Sequence, residues 1–532
     1  MAPDVPPSHT TVLIIGGGPA GAYSASVLAR EKVDVTLLEA AQFPRRVYHI
    51  GESMLPSINA FYAYIGAEDK LRNHGFCPKP GAAAKLMHGK QEAYTNFVER
   101  NEHDASYNVI RSELDELLLR HSQECGAKVY EQTRVLDLAF EDNYGGQPIR
   151  PIGANYVRGG QSGYISFDYL IDASGNKGIM STKYLRNRKM NQTLHNIACW
   201  GYWTGGGIYR PGTYRHNAPW FEALLDESGW AWYIPLSNGT VSVGFVMDKT
   251  ISIKKKGKLR EEKSDEYSLK THYLDQMHFA PGLRELLKNA TLKEDTDEPV
   301  KSASDYSYSA SCYAGDHYRL VGDAAAFIDP FFSSGVHLAH LGGLSAAMTI
   351  CASIRKDCTE AQAARYHDVK VATSYTRFLI VVLSAYKQIR SQVTDVLADV
   401  DEDNYDRAFD FFRPIIQGTA DVGKKLTEDE VQKAIEYCTN IFLPGDPEMR
   451  EAVGSRIGFD LLSANTPIMD FKAMEKIAGP EDVDALLVLK QVNARKPLVG
   501  LYGALESLHR DIIGGHVARL EHGRIGLSAA VA

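Results

Sequence analysis

Three glycines near the N-terminus have a spacing that lets a peptide backbone hold a phosphate. Gly16, Gly18 and Gly21 form the pattern G-x-G-x-x-G, directly after a short apolar run and before an alanine-rich run. This order predicts a buried strand, a tight turn and a helix whose unpaired N–H groups favour an anion. Glu39 follows 18 residues past Gly21, where a carboxylate can bind a ribose hydroxyl. A glycine-rich turn alone can serve packing, but the full arrangement predicts a dinucleotide site.

Lys79 is a second candidate because its neighbours restrict the backbone around it. Pro78 and Pro80 flank this lysine and hold the local chain stiff and extended. A lysine fixed in this way is poorly placed for a freely moving surface role. On composition alone an exposed loop lysine is the commoner case, so the residues themselves leave both interpretations open.

Two later segments have small or acidic residues where a predicted strand ends and where a predicted helix begins. Gly322 and Asp323 follow a short apolar run, and a Gly-Asp pair at the end of a buried strand can bind a ribityl chain. Ser334 and Gly335 precede a long apolar helix predicted over Val336 to Ile354. The first N–H groups of such a helix have no intrahelical acceptor and carry partial positive charge.

Aromatic and histidine pairs complete the candidates. Trp230 and Trp232 are two residues apart on a predicted strand, so both side chains face the same side. A packed sheet core is the default interpretation of that pair. His337 and His340 lack a third ligand in their neighbourhood, and we predict no metal site.

The elements around these residues follow from their periodicity. The run from Val109 to Arg120 has helical spacing, with Arg111 near its start. Residues 195–248 alternate in short apolar and polar runs, which predicts an antiparallel sheet with one covered face. Charges of both signs crowd residues 249–270 and predict a solvated excursion, whereas residues 358–532 have helical composition.

Composition excludes several functional classes. The 532 residues carry 58 Lys and Arg against 66 Asp and Glu, a net charge of −8 that does not suit nucleic acid as a partner. Seven scattered cysteines without a C-x-x-C pair indicate a reducing compartment, and the first residues lack a secretion signal. We therefore expect a cytoplasmic protein. No transmembrane segment is expected, since the apolar run 378–386 is far below the roughly 20 residues that a span needs.

Taken together, these motifs resemble a known group of FAD enzymes, the aromatic hydroxylases. The resemblance includes the glycine pattern, Glu39, the turn from Asp172 to Gly175, and Gly322-Asp323. Within that group, three features are similar to flavin-dependent halogenases, most of all to fungal phenol halogenases that act on polyketide aromatics. These features are Lys79, the W-x-W-x-I-P pattern from Trp230 to Pro235, and the segment from Asp329 to Gly335.

The resemblance implies a role for each motif. Lys79 would be the catalytic residue, and Ser334 and Gly335 would bind the halide. Trp230, Trp232, Ile234 and Pro235 would keep the substrate away from the flavin. The residues implied in FAD binding are Gly16, Gly18, Ala20, Gly21, Glu39, Arg45, Arg46, Ser53, Arg111 and Asp323.

It also implies a reaction. The enzyme would use FADH2 and O2 to halogenate a phenolic aromatic, with chloride or bromide as the halide and chlorination as the expected outcome. Hypohalous acid would travel to Lys79, whose pKa an apolar tunnel should lower. Since no second glycine-rich cradle is visible, a separate flavin reductase would supply FADH2. The alternative is an aromatic hydroxylase that uses NAD(P)H and transfers oxygen directly.

The expected fold class is α/β, with a Rossmann-like FAD-binding domain, an antiparallel β-sheet substrate domain and a helical C-terminal region. The FAD-binding domain is predicted in three parts, 1–85, 105–185 and 301–357. The substrate domain is predicted over 186–300, with an additional sheet segment at 86–104, and the helical domain over 358–532.

Overall fold

A computed structural model describes most of the chain. The described residues are 5–44, 51–89, 91–98, 105–141, 150–191, 194–295, 298–304, 307–390, 447–463, 466–467, 469, 471–479, 482–502 and 511–530. The strands are β1 (His9–Ile15), β2 (Val35–Leu38), β3 (Cys77–Lys79), β4 (Gly81–Lys85), β5 (Ala93–Asn96), β6 (Ser106–Asn108), β7 (Lys128–Tyr130), β8 (Thr133–Phe140), β9 (Pro151–Arg158), β10 (Gln161–Asp172), β11 (Arg188–Met190), β12 (Asn196–Thr204), β13 (Trp220–Ala223), β14 (Gly229–Pro235), β15 (Thr240–Asp248), β16 (Thr291–Leu292), β17 (Val300–Ser304), β18 (Tyr308–Ala310), β19 (Ala314–Gly315), β20 (Tyr318–Leu320), β21 (Ala326–Phe327), β22 (His516–Arg519) and β23 (Gly526–Ala529). The helices are α1 (Pro19–Arg30), α2 (Ser57–Ile65), α3 (Glu68–Asn73), α4 (Arg111–Glu124), α5 (Lys249–Lys263), α6 (Leu269–Asp275), α7 (Pro281–Leu286), α8 (Gly335–Ile354), α9 (Glu360–Ile389), α10 (Pro447–Ile457), α11 (Phe471–Ala478) and α12 (Val483–Tyr502).

The first sheet has the order β7-β2-β1-β10-β20-β19, and β8 and β9 extend β10 as an antiparallel pair. β1 pairs in parallel with β2 and β10, and β10 with β20. Val12 and Ile14 pack on one side of β1, while Leu13 and Ile15 pack on the other. Both faces are covered, which explains the continuous apolar run.

The carboxyl ends of four parallel strands meet at one edge of this sheet. Ile15 lies opposite Leu38 and Asp172, and Asp172 lies opposite Leu320. Glu39 follows β2, and the Gly322–Asp323 turn follows β20. The predicted α/β cradle is therefore present, with its chemical residues at the edge where open sheets bind ligands.

The second sheet has the order β16-β12-β15-β14-β13-β4-β5, with β17 also paired to β12. Its inner face, which includes Trp200, Trp230 and Trp232, packs toward the first sheet. Its outer face packs against residues of α6 and α7, including Tyr273 and Leu283. The expectation of a single covered face is wrong, because the 249–292 segment folds over the outer face.

Two features in the second half of the fold, one after β15 and one near the C-terminus, differ from expectation. The charged run expected to be a solvated excursion forms α5, which Asp248 caps by accepting the N–H of Thr250 at 2.8 Å. Beyond the helices, β22 and β23 form a hairpin that the sequence analysis did not predict. Its turn is held by Glu31 of the first domain, which accepts the N–H of Gly523 at 2.7 Å.

One helix, Gly335–Ile354, is long and apolar enough to cross a membrane by length and composition. Within the described ranges no other helix passes that test, and 89% of its apolar window is buried inside the protein. α8 is thus the central core helix of the first domain, packed between α1 and α9.

Gly244 makes room for a tryptophan on the inner face of the second sheet. A Cβ atom at this position would lie 2.3 Å from ring carbons of Trp232. We expect Gly244→Ala to destabilise the protein by about 1–3 kcal/mol and to displace the Trp232 ring. Thermal unfolding and near-ultraviolet circular dichroism measure both effects.

Gly257→Ala is the matched control, because a Cβ atom there meets nothing within 4 Å and the residue lies in α5. This change should stabilise by up to about 1 kcal/mol. An unchanged melting temperature and tryptophan spectrum in Gly244→Ala would show that the sheet does not constrain Trp232.

Candidate functional site

In the glycine turn after β1, the backbone at Gly16 and Gly21 lies very close to neighbouring backbone carbonyl groups. A Cβ atom on Gly16 would lie 2.2 Å from the carbonyl oxygen of Ala173, and one on Gly21 would lie 1.9 Å from the carbonyl oxygen of Gly16. Gly18 is the N-cap of α1, so the N–H groups of Ala20 and Gly21 lie in the unpaired first turn. The turn fits the pyrophosphate of a dinucleotide.

Glu39 lies beside that turn at the end of β2. Its carboxylate accepts the N–H of Gly17 at 2.6 Å and the N–H of Ala41 at 2.7 Å. The side chain is thus fixed in orientation by backbone donors. The position of Glu39 beside the glycine turn is consistent with ribose binding, which remains a prediction.

Arg111 and Asp323 are brought together from distant parts of the chain. Arg111 begins α4 and donates to both carboxylate oxygens of Asp115 at 3.1 and 3.2 Å. The negative charges of Asp115, Asp323 and Glu52 raise the pKa of Arg111 against the opposing effect of burial. Arg111 also donates to the carbonyl oxygen of Gly51 at 3.4 Å, so the start of α4 contacts the segment 51–54 within reach of the charge of Asp323. Arg45 and Arg46 lie outside the described residues.

Ser53, in the segment 51–54, carries a buried hydroxyl that has no hydrogen-bond partner among the described residues. An unpaired buried hydroxyl is costly unless a ligand satisfies it. Glu52 accepts the hydroxyl of Tyr202 at 2.7 Å and also hydrogen-bonds to Ser242. Burial raises the pKa of Glu52 to about 7 despite these bonds.

Lys79 is buried, with 1% of its surface exposed. It ends β3, as the flanking prolines favour, and its Nζ donates to the carbonyl oxygen of Met54 at 2.8 Å. The amine also lies 5.1 Å from the centre of the Phe97 ring. Burial without a carboxylate partner lowers the pKa of Lys79 to about 7. The exposed-loop interpretation does not hold.

Ser106 pairs directly with Lys79 across the β3–β6 ladder, so their side chains share one face. The Ser106 hydroxyl is buried and, in the part of the chain that the structure describes, has no hydrogen-bond partner. Lys79 therefore faces a further unsatisfied polar group, as expected where a polar molecule binds.

The two tryptophans of β14 share the inner face, with ring centres 5.7 Å apart. Each indole N–H has a hydroxyl partner: Trp230 donates to Tyr386 at 2.8 Å and Trp232 donates to Ser242 at 3.1 Å. Phe331 packs edge-on against Trp230, with ring centres 5.1 Å apart. Ile234 and Pro235 end the same buried strand. The motif forms one wall between the sheet and the segment that contains Phe331.

That segment, here called the 329–334 loop, leads into α8. Asp329 accepts the N–H of Phe331 at 3.2 Å, and Ser334 is the N-cap of the helix that begins at Gly335. The Ser334 hydroxyl is buried and finds no hydrogen-bond partner within the described ranges, and a Cβ atom on Gly335 would meet nothing within 4 Å. The first turn of α8 thus offers unpaired N–H groups beside a free hydroxyl, which suits a small anion.

The two histidines of α8 have packing roles. His337 hydrogen-bonds through Nδ1 to the Ser57 hydroxyl at 2.8 Å, and His340 packs among the rings of Tyr23, Phe61 and Tyr62. Burial lowers the pKa of each histidine to about 3, so both are neutral near pH 7. In the part of the chain that is described, no group of three potential ligands could hold a metal.

The polar residues that hold these side chains carry little signal in the sequence. Glu52 was visible only as part of a Gly-Glu-Ser turn, and Tyr202 and Ser242 only as alternating sheet residues. Asn196 and Tyr386 had no distinguishing signal, because their partner Asp329 is distant in sequence.

Comparisons with known proteins agree with this geometry. The tryptophan halogenase family model matches residues 11–104 and 82–405. The flavin-dependent halogenase armH4 of Armillaria mellea is 54% identical over 529 residues, covering 98% of both chains. The sulochrin halogenase gedL of Aspergillus terreus is 43% identical and covers 98% of this chain and 94% of its own. The structure of the myxobacterial chondrochloren halogenase CndH has a TM-score of 0.63 at 26% identity, covering 82% of this chain and 98% of its own.

The glycine cradle gives a test of cofactor binding that leaves folding intact. Gly18 has φ −70° and ψ −175°, an extended conformation that any residue adopts, so a side chain there need not strain the backbone. We expect Gly18→Val to abolish FAD binding, because the side chain stands between backbone and pyrophosphate. Flavin absorbance of the purified protein measures occupancy, and the melting temperature of the flavin-free protein reports folding. Parental occupancy would show that the cradle is assigned wrongly.

Proposed function

This chain belongs to the flavin-dependent halogenases, and from that premise we propose that it chlorinates a phenolic aromatic of the polyketide class by way of Lys79. One observation supports the proposal most strongly: a buried lysine amine without a counter-charge lies against the segment 51–54 and faces an unsatisfied hydroxyl. Such an amine is neutral for much of the time near pH 7.

The residues for the cofactor fit FAD. Gly16, Gly18 and Gly21 would hold the pyrophosphate, and Glu39 the ribose, at the carboxyl edge of the first sheet. Ser53 and Asp323 would contact the remainder of the molecule, with Arg111 placing a positive charge nearby. Reduced FAD, when bound, would supply the two electrons that reduce O2 to the peroxide level, and this oxygen would in turn oxidise a halide to hypohalous acid, with water as the second product. A separate reductase is the proposed source of those electrons.

Ser334 and Gly335 are the proposed halide site. A halide taken out of water needs compensation for its lost hydration. The unpaired N–H groups of the first turn of α8, the helix dipole and the buried Ser334 hydroxyl provide this compensation. Chloride is the proposed halide.

Lys79 would receive the hypohalous acid. Its neutral amine either hydrogen-bonds the acid or takes the halogen on nitrogen, in which case the oxygen–halogen bond breaks and water leaves with one amine proton. In both cases it presents an electrophilic halogen to the aromatic ring. The burial of Lys79 excludes competing water. The wall formed by Trp230 and Trp232 would keep the aromatic substrate away from the flavin, so that oxygen is not transferred directly.

The proposed substrate class, phenolic polyketides, is supported by similar proteins and by the aromatic side chains of the second sheet. A relative named for sulochrin halogenation covers nearly the whole chain. The inner sheet face is aromatic, with Trp200, Tyr202 and Phe221 beside the two motif tryptophans. A flat phenolic ring suits such a surface.

Lys79→Ala should eliminate halogenated product while FAD binding and flavin reoxidation by O2 continue, because the oxidant forms at the flavin. Lys79→Arg should fail almost as completely, since a guanidinium stays protonated and cannot present a neutral nitrogen. Mass spectrometry of the products, run beside an oxygen electrode, measures the two activities separately.

Lys85→Ala is the control, since Lys85 ends β4 only six residues away and is partly exposed. It should keep parental product formation. If Lys79→Ala halogenated at the parental rate, or Lys85→Ala failed instead, Lys79 would have no role in the chemistry.

The pH dependence of halogenation should follow the amine of Lys79. With a pKa of about 7, its neutral fraction rises from about one tenth at pH 6 to about nine tenths at pH 8. Product yield from chemically reduced FAD, O2 and bromide in a single turnover should therefore rise over this range. Glu52 has its pKa in the same range, so Glu52→Gln must retain the rise. A yield that falls between pH 6 and pH 8 would contradict a neutral amine.

A further inference from the structure

Asp329 is a fully buried carboxylate whose bonds reach three separate elements. It accepts the Asn196 amide of β12 at 3.0 Å and the Tyr386 hydroxyl of α9 at 2.8 Å. Its other oxygen accepts the N–H of Phe331 in the 329–334 loop at 3.2 Å. One side chain therefore ties the substrate sheet and a C-terminal helix to the loop that leads into α8.

Tyr386 is the centre of this network. Its hydroxyl accepts the indole N–H of Trp230 and the amide of Asn196, each at 2.8 Å, and donates its proton to Asp329. A tyrosine hydroxyl has one proton to donate, so the direction of each bond is fixed by its partners. Trp230, whose indole can only donate, is thereby held in one orientation relative to Asp329.

The network ends at the proposed halide site. Phe331 is held through its backbone by Asp329 and through its ring by Trp230. Only three residues further along, Ser334 presents its unpartnered buried hydroxyl, and α8 begins at Gly335. A shift of the loop would therefore move the hydroxyl and the unpaired N–H groups together.

We propose that Tyr386 and Asp329 are positioning residues that hold the 329–334 loop in the conformation that binds halide. This inference rests on the proposed function of Ser334 and Gly335. It gives α9, which lies beyond the segments with the cofactor motifs, a part in positioning the halide site. Neither residue would need to contact the halide, because Asp329 bonds to the backbone of Phe331 and Tyr386 bonds to the indole of Trp230, which packs on the Phe331 ring.

Tyr386→Phe removes the hydroxyl and keeps the ring. We expect the KM for bromide to rise by about tenfold and kcat to change less than about twofold, because bonds to a charged group orient the loop but not the lysine. Asp329→Asn should raise the KM as well, since the amide cannot accept from Tyr386, Asn196 and the Phe331 N–H at once. Steady-state halogenation over a bromide titration, with FADH2 kept in excess, gives both constants.

The chain offers a matched control on the opposite face of the same sheet. Trp203 donates its indole N–H to the Tyr273 hydroxyl at 2.8 Å, and Tyr273 is fully buried like Tyr386. Tyr273→Phe removes an equivalent bond far from the 329–334 loop. It should lower the melting temperature as Tyr386→Phe does while leaving the bromide KM at the parental value. Equal KM values in the two variants would overturn the proposal.

Hydrogen exchange tests the positioning without catalysis. Backbone amides in peptides covering residues 328–338 should exchange faster in Tyr386→Phe and in Asp329→Asn than in the parent, and at the parental rate in Tyr273→Phe. Unchanged exchange in both loop variants would overturn the proposal even if activity fell. Faster exchange in both loop variants, together with a parent enzyme that makes no halogenated product, would contradict the proposed function and would still support the role of Tyr386 and Asp329 in holding the loop.

Discussion

The burial of a lysine amine without a carboxylate partner is the constraint on which this site depends. Taking a charged ammonium out of water costs far more than one carbonyl hydrogen bond returns, so the amine of Lys79 loses its proton readily. The rest of the site must exclude bulk water from that amine while leaving it accessible to hypohalous acid and substrate. The β3–β6 ladder fixes its backbone, the carbonyl oxygen of Met54 accepts a hydrogen bond from its Nζ, and the Phe97 ring lies beside it.

The two sheets form the site in which this amine could act on a substrate. The parallel sheet brings Glu39, Asp172 and Asp323 to one edge, and the second sheet presents an aromatic face. On this face, each tryptophan of β14 is connected to a buried carboxylate through a hydroxyl group. Trp232 bonds to Ser242, which bonds to Glu52. Trp230 bonds to Tyr386, which bonds to Asp329. Burial raises the pKa of Asp329 to about 6, which hydrogen bonds from Asn196 and Tyr386 partly oppose. The tryptophans are thus a wall with fixed ring orientations.

Local patterns predicted those parts of the site that consist of consecutive residues. The strand-turn-helix around Gly16 to Gly21, the extended backbone at Lys79 and the start of α8 each follow from neighbours within a few positions. The partners of the tryptophans could not be predicted from the sequence, because Tyr386 lies 156 residues from Trp230 and no periodicity links them.

The outer face of the second sheet was misjudged for a similar reason. Alternation within β12 to β15 could not reveal that α6 and α7 fold back over it.

The ionisation of Lys79 in the folded enzyme tests the account most directly. Carbon NMR of protein labelled at the lysine Cε position follows each amine through a pH titration, and Lys79→Met identifies the resonance by its absence. The account predicts a Lys79 resonance that titrates near pH 7, well below ordinary lysines. A Lys79 resonance that titrates above pH 10 would show a protonated amine at working pH and would contradict the role of Lys79 as a neutral carrier of halogen.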